Sequence, residues 1–318
     1  MGSYGRVSKS TSTSVILLIF QTVIVPIFLV IFVGYAFQRL GAIETKAVSD
    51  VVLHILTPCL VFTSITGASW AGGDWLKVSA LAAATTFTLI ILSWIIARAI
   101  HLNRELAVAF VLSTSFMNAG NFGLPLSLLA FGDKGLGFAV VFFVATAILM
   151  FTVGAFVACS SRGGFKQALA NLIRLPLIYA LVAAVLVKII GLSPPQFVMQ
   201  AANLMSQAAI PTMLVLLGMD LASSGIQWSN SARWRLVTLS AGLKLLFPVL
   251  FVSVAADLIG LVGLSAKITV LQASMPTAVF VTLLTLKFGG DSSFATSVIL
   301  LSTLISIGTL TLLLFFMI

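Results

Sequence analysis

Charge is what this sequence has least of. Only 8% of its 318 residues are Asp, Glu, Lys or Arg, against 60% hydrophobic ones, and the mean hydropathy is +1.19. A soluble domain carries about 25% charged residues, so a chain this depleted cannot cover its own surface in water and reads as an integral membrane protein. Its basic residues outnumber its acidic ones, 17 to 8, but they stand in ones and twos between apolar runs. There is no basic stripe of the kind nucleic acid requires, and anionic lipid headgroups are the partner this pattern predicts.

Cysteine and histidine are nearly absent as well, at two each. Cys59 and Cys159 stand alone in or beside apolar runs without metal-ligand spacing, so both read as small packing residues, and neither metal nor cofactor is expected. His54 and His101 cannot form a His-Glu-x-x-His helix. No Gly-x-Gly-Asp occurs, and Gly289-Gly290-Asp291 lacks a second aspartate, so an intramembrane enzyme would have no constellation to work with. His54, one turn before Pro58, is expected to bond a neighbouring helix. Carboxylates are missing from the centres of the apolar runs: Glu44, Asp50, Asp74, Glu105, Asp133, Asp220, Asp257 and Asp291 fall in loops or near span ends. That disfavours a proton antiporter built on a carboxylate pair and leaves Asp50 or Asp220 as the only acids for a sodium site. Thr57, Ser115 and Thr277 could serve sodium through neutral oxygens, although hydroxyls in membrane helices usually bond their own backbone.

What the chain has is long apolar runs. Residues 1–13 are polar, and the stretch after them is longer than a signal-peptide core and lacks a small-residue cleavage site, so it is expected to be the first spanning helix. Ten runs can be counted, near 14–38, 47–66, 76–97, 106–130, 136–158, 173–190, 197–219, 236–256, 268–286 and 294–318. The loops after odd-numbered runs hold Arg39, Lys46, Arg98, Arg104, Arg162, Lys166, Arg174, Arg233, Arg235 and Lys287. The opposite side holds Arg6, Lys9, Lys77, Lys134, Lys188 and Lys267. By the positive-inside bias the odd loops are cytoplasmic and both termini lie on the non-cytoplasmic side.

The runs also repeat. Val25-Pro26-Ile27 in the first and Leu175-Pro176-Leu177 in the sixth stand at the same distance from Gly41 and Gly191, and Leu56-Thr57-Pro58 has a counterpart in Ala209-Ile210-Pro211. The fourth and ninth end alike, at Phe131-Gly132-Asp133 and Phe288-Gly289-Gly290-Asp291. A repeat of five spans must invert in the membrane. The expected architecture is therefore an all-α membrane protein of ten transmembrane helices in two inverted five-helix repeats. These comprise a polar tail (1–13), a first repeat (14–160), a short linker (161–172) and a second repeat (173–318).

One run carries the chemistry. Asn118-Ala119-Gly120-Asn121-Phe122-Gly123-Leu124-Pro125 puts two carboxamides, two glycines and a proline at the centre of the fourth run, where each weakens a continuous helix. Aligning the run ends sets this segment opposite Ser274-Met275-Pro276-Thr277 in the ninth. Broken backbone at that depth is tolerated only where protein buries it or it lines a cavity, and half-helix N-termini present unsatisfied N–H groups that suit an anion. Asn118, Gly120, Asn121, Pro125, Ser274, Met275, Pro276 and Thr277 are thus the candidate substrate-binding residues. Asn118 and Asn121 can donate to cargo or bond freed backbone carbonyls. Lys244, at the centre of the eighth run, costs roughly 2.5–3.5 kcal/mol to insert there and should point inward. It is the candidate for compensating charge or coupling, with a purely structural role as the alternative.

The segment Asn-Ala-Gly-Asn-Phe-Gly-Leu-Pro-Leu, together with Pro58-Cys-Leu-Val-Phe62, the run from Ala209-Ile-Pro to Gly218-Met-Asp-Leu221, and Lys244-Leu-Leu-Phe-Pro248, resembles the auxin efflux carrier family over essentially the whole chain after residue 14. The long plant members have a large hydrophilic loop between spans five and six; here Ser160–Asn171 replaces it, which aligns the chain with the short relatives. The resemblance implies an inverted-repeat carrier akin to bile acid sodium symporters and some sodium/proton antiporters. Spans one, two, six and seven would form a scaffold that makes a homodimer, and the remaining spans a transport domain moving as an elevator, with broken helices four and nine crossing at the substrate. The function expected is secondary transport of a small organic anion, auxin-like or a dicarboxylate, across the plasma (inner) membrane. The alternatives are a sodium-coupled symporter of the bile acid type and an anion channel.

Overall fold

Proline decides where the helices of the first half widen. Pro26, Pro58 and Pro125 cannot donate to a carbonyl one turn back, and their rings press against it, so the preceding turn relaxes from α to π geometry. In the computed structural model, which describes residues 14–41, 44–67, 74–159, 176–223 and 231–318, π turns occupy Phe20–Ile24, Val52–Leu56 and Ala119–Gly123, each ending two residues before one of these prolines. A fourth, Met150–Gly154, has no proline behind it, and nothing in the sequence explains it.

Among the described residues the structure is helical, without strands. Long helices are α1 (Ser14–Gly41), α2 (Thr45–Gly67), α3 (Asp74–Ala99), α5 (Ala119–Val157), α7 (Gln196–Ser223) and α11 (Ser292–Met317), with α8 at Ser231–Leu258. These seven are long and apolar enough to cross a membrane. α6 (Pro176–Ile190) is shorter. α4 (Arg104–Ser115), α9 (Gly263–Ala273) and α10 (Phe280–Phe288) have 12, 11 and 9 residues, too few to cross about 30 Å at 1.5 Å per residue.

Three interruptions divide the apolar runs. The runs at 106–130 and 136–158 meet at Gly132, whose non-helical backbone (φ 64°, ψ −164°) kinks α5 into two helical segments with no loop between them, a conformation only glycine adopts at little cost. The runs at 106–130 and 268–286 are each interrupted, after Ser115 and after Ala273. The polar tail, the linker at 161–172 and the sixth run before Pro176 lie outside the described residues.

The helices pack in two groups. α1 lies along α7, and α2 packs on both α6 and α7. The second group has α3 against α4 and α5, α8 against α4, α9 and α11, and α9 against α5. Polar contacts fix the two ends of the second group. At one, Lys77 donates to the Gly260 carbonyl at 2.9 Å, Ser265 Oγ to Asp74 Oδ2 at 2.8 Å, and Lys267 to the Met317 carbonyl. At the other, Arg233 grips Asp291 with both terminal nitrogens, at 2.8 and 2.9 Å. Asp291 also caps α11 by accepting from the Phe294 N–H at 2.9 Å, and its own N–H donates to the Glu105 carbonyl.

Partial burial would push the Asp291 carboxyl up, but the Arg233 guanidinium and the Phe294 N–H outweigh it and hold the group below the usual carboxylate range. A carboxyl depressed by folding stabilises above its unfolded value, about 3.9, and that contribution is lost as pH falls through the folded value. Asp291→Asn should therefore lower the thermal midpoint at neutral pH, by the equivalent of about 1–3 kcal/mol. Its deficit relative to wild type should shrink below about pH 4. Melting curves of both detergent-solubilised proteins between pH 3.5 and 8 check this; a deficit constant across that range would refute it.

Candidate functional site

Two interrupted helices meet backbone to backbone. α9 ends at Ala273 because Pro276 cannot donate and its ring disfavours helical geometry at Met275. α4 ends at Ser115, where Phe116 turns extended (φ −102°, ψ 123°) ahead of the glycine-rich segment. The polar groups so released satisfy one another, as they must away from water. Asn118 N–H donates to the Pro276 carbonyl at 2.7 Å and Ala278 N–H to the Phe116 carbonyl at 3.0 Å, giving a one-rung antiparallel bridge between Met117 and Thr277. Thr277 Oγ1 donates to the Ser113 carbonyl at 2.8 Å, while the Thr277 N–H donates to Ser302 Oγ at 3.2 Å. The two breaks are thereby stitched to each other, and the one at Thr277 to α11.

A cavity of about 100 Å³ opens beside this junction, between the two helix groups. Asn118, Gly120 and Asn121 supply one wall and Val279 and Phe280 another. Phe143 and Thr146 come from α5, Ser49 and Thr57 from α2, and Met213 from α7. The first turns of α5 and α10 both end on it, so their uncommitted N–H groups give this space a positive bias. Asn118 is only 5% exposed, and its Nδ2 has no hydrogen-bond partner. An unpaired buried donor costs about 1–3 kcal/mol, which an acceptor bound in the cavity would recover.

The glycines here are positional. A Cβ on Gly120 would lie 2.8 Å from the Phe143 ring, and one on Gly123 would lie 2.3 Å from Gln272 Oε1. Gln272, fully buried on α9, donates in turn to Ser127 Oγ at 3.0 Å.

The candidate residues divide. Asn118, Gly120 and Asn121 line the cavity. Pro125 is buried just past the π turn and sets its geometry, without reaching the cavity wall. Ser274, Met275, Pro276 and Thr277 are buried and form the opposing break; the cavity is lined instead by Ala278, Val279 and Phe280, which follow them. The Ser274 hydroxyl donates to the Val270 carbonyl at 2.7 Å. Lys244 is completely buried and donates to the Ala273 carbonyl, at the last residue of α9, at 3.2 Å. His54 does not reach a neighbouring helix: its Nδ1 lies 3.0 Å from the Asp50 carbonyl of its own helix. Among the described residues no group of three or more His, Cys, Asp or Glu could hold a metal ion.

Sequence reasoning missed the aromatic side of the cavity. Phe116 and Phe280 flank the two breaks and could have been found from that position. Phe143 and Phe151 carry no signal in a chain with 24 phenylalanines. Phe151 packs edge-on to Phe280 with ring centroids 4.8 Å apart.

Residues 19–314 match the model of a family described as Membrane transport protein. An uncharacterised transporter of Methanothermobacter thermautotrophicus is 25% identical over 291 residues, covering 90% of this chain and 95% of that protein. An uncharacterised transporter of Methanocaldococcus jannaschii is 21% identical over 295 residues, covering 90% and 94%. A Rhizobium meliloti protein named "Putative malonate transporter" is 25% identical over 303 residues, covering 91% and 92%.

Proposed function

The chain belongs to the membrane transport protein family, that of the auxin efflux carriers, and from that premise we propose that it is a secondary carrier of a small carboxylate, held where the two interrupted helices cross. The observation that carries this reading is the cavity at the junction. Two helix N-termini and the unpaired Asn118 amide converge on it, which is an arrangement suited to an anion bound without a permanent cation. Neutral donors keep such a site weak enough to release its cargo.

Ten spans in inverted repeats are obtained by counting α4 with residues 119–131 as the fourth span, the rest of α5 as the fifth, and α9 with α10 as the ninth. Several helix contacts support this. Exchanging halves turns the α1–α7 contact into α6–α2, and the contact of α4 with α8 into that of α9 with α3, and all four occur. Gly132 and Gly289, with φ of 64° and 73°, close the fourth and ninth spans alike.

The cavity wall is shared between α2, α6 and α7 on one side and the broken helices on the other. In an elevator the second group would carry its half of the wall, with the substrate, past the first. The first group would remain fixed and form a homodimer in the plasma membrane, with both termini on the non-cytoplasmic side. Lys244, at the C-terminal carbonyls of α9, supplies compensating positive charge behind the crossing. A cavity of about 100 Å³ is well below the roughly 300–1,000 Å³ of sites for drug-sized ligands. It favours a compact acid of the malonate class over an indole acid, in line with the name carried by the Rhizobium meliloti relative.

Counterflow in proteoliposomes with labelled malonate and labelled indole-3-acetate in parallel tests the proposal. Malonate uptake should saturate, persist without sodium, and fall at least about 10-fold in Asn121→Ala, the loss of one charge-assisted hydrogen bond. Uptake indifferent to Asn121 would remove the site. Currents linear in voltage without counterflow would make the protein a channel.

A further inference from the structure

We infer that the cavity between the α3–α4 turn and the end of α5 seats one anionic phospholipid. It measures about 900 Å³, far larger than the cavity at the crossing, and lies at the ends of three helices. Its mouth carries Arg98, His101 and Arg104, and among the described residues no carboxylate lines it. The Arg98 guanidinium stacks over Trp94, 4.8 Å from the ring centroid, which holds the charge at the opening. His101 has a φ of 53°, the single positive φ outside glycine among the described residues. Such a conformation is uncommon outside glycine and persists only where the surroundings demand it. Here it lets the chain leave α3 and enter α4 within four residues, with Asn103 capping α4 through the Leu106 N–H at 3.0 Å, so that three basic side chains surround one opening.

Away from the mouth the lining changes character. Ala107 and Val111 on α4 and Phe156 on α5 give an apolar wall running inward from the basic rim. Trp94 and Phe156 are about half exposed (51% and 52%) at span ends, where amphipathic and aromatic side chains meet the headgroup layer. A soluble phosphate would use the rim and leave the wall empty. A phospholipid uses both: phosphate on the guanidinium groups, which favour bidentate contacts, and acyl chain along α4. Basic pockets between spans are the recognised form of such sites, each Arg contributing about 1 kcal/mol.

The test uses full-length protein in neutral detergent, titrated with phosphatidylglycerol, phosphatidylcholine or inorganic phosphate, with bound lipid counted by native mass spectrometry and the thermal midpoint followed in parallel. One phosphatidylglycerol should remain bound to wild type and raise the midpoint, whereas phosphatidylcholine and phosphate should do neither. Arg98→Gln with Arg104→Gln should weaken phosphatidylglycerol about 30-fold. Should the double variant fold poorly, Ala107→Phe keeps every charge, fills the apolar wall and should lose the lipid equally. Equal binding of phosphatidylcholine, phosphate matching phosphatidylglycerol, or phosphatidylglycerol retained by the variants would each overturn the inference.

Discussion

Lys244→Met should leave the protein folded and reduce carboxylate counterflow roughly 100-fold or more, about 2.7 kcal/mol of lost stabilisation. The two halves of that expectation have separate physical origins. Methionine follows the same track as the lysine stem and carries no charge, and a cation at membrane depth costs roughly 2.5–3.5 kcal/mol to insert. Removing it relieves that cost, and the hydrogen bond lost is the 3.2 Å contact with the Ala273 carbonyl. The thermal midpoint should therefore hold or rise, as when buried ionic groups are replaced by apolar ones of similar volume.

Transport should suffer because the ammonium sits at the last residue of α9, directly before the break whose partner lines the cavity. There it offsets the partial negative charge of the α9 C-terminus and leaves the N-terminal ends of α5 and α10 to dominate the field in the cavity. Ser240, one turn earlier on α8, bonds Thr114 of α4 at 2.8 Å, so Lys244 is also fixed relative to the other broken helix. Unchanged counterflow with a lowered midpoint would assign the lysine to structure alone.

How much of this was legible depended on whether a residue acts through its own backbone or through its neighbours. The break at Asn118–Asn121 could be read because glycine and proline change backbone geometry wherever they stand, and Pro276 marked its partner for the same reason. The π turns before Pro26, Pro58 and Pro125 follow from the same chemistry. The cavity lining could not be read. Phe143 and Thr146 lie one turn apart on a helix apolar on all sides, and nothing in such a helix states which face meets α2 and which meets lipid. Ser274 and Thr277 were candidates because the aligned run ends set them opposite Asn118–Asn121; that their hydroxyls bond the Val270 and Ser113 carbonyls depends on neighbours that the alignment does not name. The boundary inside α5 could be read at Gly132 for the same reason as the breaks; what its glycine does not state is that one left-handed residue suffices to turn the chain without a loop.

Gly218→Val should be the most damaging single substitution in the first helix group. α1 and α7 cross where Gly34 and Gly218 face the opposite backbone. A Cβ on Gly218 would lie 1.9 Å from the Ile31 carbonyl oxygen and 2.7 Å from the Tyr35 nitrogen, and one on Gly34 would lie 2.1 Å from the Val215 carbonyl oxygen. No flexible side chain stands at either contact to give way, so the helix axes must separate. In a membrane, association rests on close packing without a hydrophobic drive between helices, so that separation removes the attraction itself. Overpacking of side chains costs about 1–3 kcal/mol, and a backbone clash should reach or exceed the upper end. At roughly 2–4 °C per kcal/mol, the midpoint should fall by about 6–12 °C or more. Gly242→Ala on α8, where a Cβ would meet nothing within 4 Å, should melt within about 2 °C of wild type, or slightly above it by gain of helix propensity. Fluorescence-detected size exclusion and melting of the three detergent-solubilised proteins separate the cases. If Gly218→Val were as stable as Gly242→Ala, the α1–α7 crossing could not be the close contact that holds the first group together. The wall it gives the cavity would then need another support.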